Sequence, residues 1–233
     1  MKRRDFVHIC AASAAGAVLP DASHAATLTA RRYTRAKLVD EHGQPLRLAA
    51  LAEGTTYVFD YPYAATPAFL LRLGVPVASG ILLKTEAGEP YEWQGGLGAD
   101  KSVVAYSAIC THKMTYPTRQ VSFIGYRDGP SPAAGRAKVI TCCSDRSVYD
   151  PAAGARVVSG PAPQPLATVI LEHDPKTDEI FAAGTFGGEM FAEFFRKYEF
   201  RLQLEMGNRA KAAIEGTTVV RPLESYSTQW AKC

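Results

Sequence analysis

Ser102-Val103-Val104-Ala105-Tyr106-Ser107 leads within a few residues to Cys110-Thr111-His112, and Ala137-Lys138-Val139-Ile140-Thr141 leads directly to Cys142-Cys143-Ser144-Asp145-Arg146-Ser147-Val148-Tyr149-Asp150. Each run has the composition of a strand and ends in a loop that holds a thiol and a second donor. Two such loops side by side can clamp a metal centre. Thiolates favour soft or borderline metals, iron in iron–sulfur clusters among them, and imidazole suits iron and zinc.

Outward from these loops, between Ala30 and Ala183, further strand-like runs fall at 46–51, 55–59, 68–73, 81–85, 121–126, 167–172 and 179–183. Turn formers separate them: Gly88-Glu89-Pro90, Gly95-Gly96-Leu97-Gly98, Asp128-Gly129-Pro130 and the proline-pinned Gly160-Pro161-Ala162-Pro163-Gln164-Pro165. Many short strands at this spacing predict an all-β sandwich or barrel. Beyond Gly188 the texture changes. Met190, Phe191, Phe194, Phe195 and Tyr198 recur at helical intervals, so an amphipathic helix is expected from Gly188 to about Tyr198. Thr217 to Cys233, with Pro222 and little periodicity, reads as an extended arm.

The chain has 233 residues, 47% hydrophobic and 21% charged, enough to bury a core. Its formal charge of +3 comes without a run of five basic residues, which argues against a nucleic-acid partner. No apolar stretch has the roughly 18 residues that a membrane span requires. Lys2-Arg3-Arg4-Asp5-Phe6, the apolar run Ile9 to Leu19 and Ser23-His24-Ala25 together resemble a twin-arginine export signal, which predicts a mature start near Ala26 and a periplasmic protein. Cys110, Cys142, Cys143 and Cys233 then remain, and in an oxidising compartment they also read as two disulfides. The expected division is a signal at 1–25, a β domain at 26–185 with its loops at about 106–166, and a helix and arm at 186–233.

Taken together, the loops and the proline segment resemble the Rieske iron–sulfur proteins, and among them the small subunit of arsenite oxidase. Tyr61-Pro62, Thr66-Pro67, Gly95-Gly96-Leu97-Gly98, Val104-Ala105-Tyr106-Ser107, Cys110-Thr111-His112 and Gly160 to Leu166 carry the likeness. The resemblance implies a Rieske-like antiparallel β-sandwich or barrel with a cluster-binding subdomain. It also implies a [2Fe–2S] cluster and an electron-transfer role with no catalytic residues of its own. A larger oxidoreductase partner of the molybdopterin-dependent kind and a periplasmic cytochrome or similar redox partner complete what the resemblance implies.

The second loop departs from the family pattern. Asp145 stands where a second histidine belongs, and Arg146 replaces a glycine. Thr115 and Ser144 occupy the places of the family's loop-bridging disulfide. Three readings stay open. In one, Cys110 and Cys142 hold one iron while His112 and Asp145 hold the other, with the Ser147 and Tyr149 hydroxyls donating to cluster sulfurs. In another, Cys143 takes the place of Asp145. In the third, the chain is a cofactorless structural or assembly subunit in which Cys110 is disulfide-bonded to Cys142 or Cys143. Cys143 and Cys233 form a further possible pair in the first reading. His42 and His173 lie outside the loops and read as surface or core residues.

Overall fold

Side chains alternate between two cores along the central strands of a computed structural model that describes residues 28–132 and 134–233. The first strands are β1 (Arg31–Val39), β2 (Thr56–Asp60), β3 (Pro67–Arg72), β4 (Ile81–Lys84), β5 (Pro90–Trp93) and β6 (Val103–Ser107). They are followed by β7 (Val121–Ser122), β8 (Ile124–Arg127), β9 (Val139–Cys142), β10 (Ser147–Asp150), β11 (Arg156–Ser159), β12 (Thr168–Asp174) and β13 (Glu179–Phe186). On β2, β3 and β6, the side chains of Val58, Phe69, Leu71, Val104 and Tyr106 enter one core, while Phe59, Ala68, Leu70, Val103 and Ala105 enter another on the opposite face. A period of two places alternate residues on opposite faces of a sheet, so strands buried on both faces read as continuous apolar runs. The first core also contains Cys110, Cys142 and Tyr149, which ties the candidate site to the main packing.

The chain is mostly β, as its turn-separated runs predict. The principal sheet has eight strands in the order β14-β1-β13-β12-β6-β3-β2-β15, in which β14 is Gly216–Val219 and β15 is Arg221–Pro222. These two edge strands are separated by Val220 alone, so the sheet curls until its two ends nearly meet. A second sheet, β11-β10-β9-β8, carries the second thiol loop on its β9–β10 hairpin.

The arm expected at 217–233 is therefore built into the fold. It supplies both edges of the principal sheet, then the short helix α3 (Leu223–Tyr226), and ends in β16 (Gln229–Trp230) alongside β7. The expected strand at 46–51 is instead a 3-10 turn at Leu48–Ala50. Its backbone donors are already engaged, since Leu48 N donates to Asp178 O at 3.0 Å and Ala49 N to Asp178 Oδ2 at 3.1 Å. The export-signal expectation falls on residues outside those described. No helix among the described residues is long and apolar enough to cross a membrane.

Helices α1 (Phe191–Lys197) and α2 (Glu199–Met206) form a third core against the first thiol loop. Phe194 is fully buried, with its ring edge-on to Tyr116 at 4.9 Å, and Ile109 lies in the same cluster. The aromatic stripe seen in the sequence thus braces the residues on either side of Cys110 and His112.

Asp60, at the end of β2, lines a cavity of about 380 Å³ with Tyr116, Arg119 and Tyr226. Burial pushes its carboxyl up to about 6, against the opposing pull of Arg119 and Arg221. A carboxyl raised in the folded state contributes stability below its unfolded value, near 4, and that contribution is lost as pH rises through about 6. Asp60→Asn is therefore expected to gain on the wild type by about 2 kcal/mol between pH 4 and pH 8. Urea unfolding at the two pH values reads this difference, and equal gaps at both would mean that Asp60 is not strained by its surroundings.

Candidate metal centre

Cys110 follows β6 in a tight turn, where Cys110 N donates to Thr115 O at 2.9 Å and Met114 N to Cys110 O at 2.8 Å. Cys142 closes β9 opposite Ser147, and the hairpin tip folds back through Arg146 N donating to Cys142 O at 2.8 Å. Arg146 sits at φ 63°, in the left-handed region that favours glycine, and its side chain projects to solvent. Asp145 turns inward. Ser147 N donates to Asp145 Oδ1 at 2.9 Å, a local bond of the kind that Asp supplies in turns.

The two loops meet. The ligand atoms of Cys110, Cys142 and Asp145 all lie within 4.8 Å of one another. Asp145 Oδ2 is 3.3 Å from Cys110 Sγ and 3.1 Å from His112 Nδ1. The Asp145 side chain is 2% exposed and that of His112 36%, so the carboxylate faces the interior while the imidazole marks the surface edge. Cys110 and Cys142 are buried free thiols. This arrangement removes the disulfides expected in the cofactorless reading, Cys110 with Cys142 or with Cys143.

Cys143, the alternative ligand, is bonded to Cys233, with their Cα atoms 5.7 Å apart. Its sulfur is thereby taken, as the sequence left open for this pair. His42 and His173 stand apart from the thiols. His173 Nε2 lies 2.8 Å from Asp178 Oδ1 at the β12–β13 turn.

Hydroxyls surround the sulfurs. Tyr149 OH lies 3.2 Å from Cys110 Sγ and accepts from Thr111 N at 3.2 Å. Ser147 Oγ is fully buried and has no hydrogen-bond partner among the described residues. An orphaned buried hydroxyl is costly, so an acceptor at this point would relieve it. Thr111 Oγ1 donates to Gln164 O at 2.8 Å and thereby ties the first loop to the proline segment. A Cβ on Gly160, at φ 90°, would come 2.6 Å from Ser147 Cα, so the same segment presses on the second loop. Thr111 and Gln164 did not stand out in the sequence; only their places inside the Cys-x-His and Gly-Pro motifs hint at them.

Burial opposes the charge on Asp145, but the Ser147 amide and the neighbouring thiol donors outweigh it and hold the carboxyl below its usual range. The hydrogen bond between Cys142 and Cys110 draws the Cys110 thiol down to about 7, aided by Tyr149, and pushes that of Cys142 up. One sulfur and one carboxylate thus reach the charged, metal-binding form near neutral pH, with the second thiol as proton donor to the first.

No protein-family model matches the chain. Among solved structures it is similar to the soluble domain of Rieske protein II (soxF) from Sulfolobus acidocaldarius, at 26% identity and a TM-score of 0.43, over 68% of this chain and 83% of that one. Among curated proteins it is similar to iodate reductase subunit IdrB of Pseudomonas sp. (strain SCT), 31% identical over 140 residues. That match covers 60% of this chain and 58% of the relative's length. The likeness to this reductase subunit spans somewhat more than half of each chain. The resemblance to the arsenite oxidase small subunit in particular gains no separate support from these relatives.

Rieske-type proteins bind a [2Fe–2S] cluster through thiolate and imidazole. The residues here fit such a group on two counts. Two free thiols and a carboxylate converge from two loops, with the His112 imidazole reaching that carboxylate from the surface side, and Ser147 Oγ is a buried donor without an acceptor.

Proposed function

We propose that this chain is the electron-transfer subunit of a larger oxidoreductase, and that Cys110 and Cys142 hold one iron of a [2Fe–2S] cluster while His112 and Asp145 hold the other. The observation that carries the reading is the convergence of two buried free thiols with an inward-facing Asp145 that also touches His112. The similar curated protein is named as a subunit of an iodate reductase, which supports a larger partner. Export by the twin-arginine route, a periplasmic location, a molybdopterin-dependent partner and a cytochrome-like acceptor complete the proposal.

The cluster supplies, when bound, a site that takes up and releases single electrons. The chain's own residues set how readily and from where. Buried Cys110 and Cys142 keep water from the inner side, whereas half-exposed His112 offers the short path to a partner. The anionic Asp145 disfavours the reduced state more than a neutral imidazole would, which lowers the potential. Tyr149 OH and Ser147 Oγ act the other way by donating towards sulfur. Anaerobic reductive titration of iron-loaded protein tests the function: uptake of about one electron per chain is expected, and no uptake would refute the electron-transfer role.

A further inference from the structure

We propose that the Cys143–Cys233 disulfide is the staple that positions the second ligand loop, with Cys233 as a positioning residue acting through Cys143. Its consequence for the cluster rests on the function proposed above; its effect on the loop does not.

Cys143 lies beside Cys142 and two residues before Asp145, at the base of a hairpin tip whose Ser144 and Arg146 are exposed. Besides the hairpin's own bonds, the residue is held by Cys143 N donating to Phe123 O at 2.7 Å. Thr115 and Ser144 line one surface recess between the two loops without a sulfur between them. Among the described residues, therefore, no disulfide joins this loop to the first one, and the bond to Cys233 is the covalent cross-link it has.

A staple is only as firm as its far end, and the far end here is anchored repeatedly. Gln229 and Trp230 pair with Val121 and Ser122, and Ala231 N donates to Ser122 O at 2.9 Å. The Trp230 indole fills the space above Gly125, where an added Cβ would come 2.7 Å from Nε1. Lys232 Nζ lies 4.4 Å from the centre of the Trp230 ring. Cys233 O accepts from Ser131 Oγ at 2.8 Å and from Arg127 Nη1 at 3.3 Å. The arm is thus fixed to β7 and β8, and β8 pairs with β9, the strand that delivers Cys142. The bond closes a loop with a sequence separation of 90 residues and fixes the residue that follows Cys142 to the anchored arm.

The test is a Cys143→Ser/Cys233→Ser chain, which leaves no stray thiol to scramble with Cys110 or Cys142. A Leu38→Ala chain, altered in the opposite core, controls for general loss of stability. In metal-free protein, the amides of Asp145, Arg146 and Ser147 are expected to exchange with solvent about tenfold faster in the double variant, while those of β12 and β13 keep their rates. Leu38→Ala is expected to leave the tip amides unmoved. In iron-loaded protein the visible cluster absorbance should decay faster under chelator by a similar factor. Tip amides exchanging at the wild-type rate would overturn the staple. A wild-type chain that binds no iron would defeat the proposed function instead, and the exchange comparison would still decide this inference.

Discussion

Cys142→Ser is expected to fold with its principal sheet intact and to carry at least about tenfold less iron than the wild type. Cys142 is fully buried at the end of β9, with its sulfur among the ligand atoms of Cys110 and Asp145. Serine keeps the shape and replaces a soft sulfur donor with a hard hydroxyl, which a metal ion ionises and binds far less readily. The strand itself depends on backbone pairing of Ile140 to Cys142 with β8 and β10, which the substitution leaves in place. Far-ultraviolet circular dichroism therefore changes little while colorimetric iron falls. Full iron in the variant would show that Cys142 is not a ligand.

Asp145→His is expected to raise the midpoint potential by on the order of 100 mV, since exchanging anionic for imidazole ligands moves such clusters upward by hundreds of millivolts. The sign follows from charge. A neutral ring removes a negative charge in contact with both loops, and the electron then enters a less negative site. The added imidazole also brings a second group able to lose a proton on oxidation, so the potential should fall more steeply with alkaline pH than in the wild type. A redox titration followed by visible absorbance measures both effects. An unchanged potential, or an unchanged cluster in Asp145→Ala, would remove Asp145 from the ligand set.

The donors were legible because their information is local. A thiol and a second donor follow each of two strand-like runs, β6 and β9 form within a residue or two of those runs, and the loop lengths place Asp145 beside the two thiols. Closure of the sheet was hidden. β1 carries Arg31, Arg32, Arg35 and Lys37, and only Ala36, Leu38 and Val39 of that strand are buried, so its apolar signal is faint. Its charges are satisfied across the sheet by Glu172, Glu179 and Glu189. The edge strands β14 and β15 are too short to show a period, and their role depends on meeting β1 and β2, distant in sequence. α2 was missed as a separate helix because Phe200 and Leu204 point to solvent and blur the stripe that α1 shows clearly. The partner of Cys143 was legible only as a possibility, since a separation of 90 residues says nothing of distance.

The central claim is that the two loop tips hold a pair of irons, and the most direct measurement is iron and acid-labile sulfide per chain on anaerobically purified protein. About two irons and two sulfides are expected. A single metal without sulfide, or none, would contradict it.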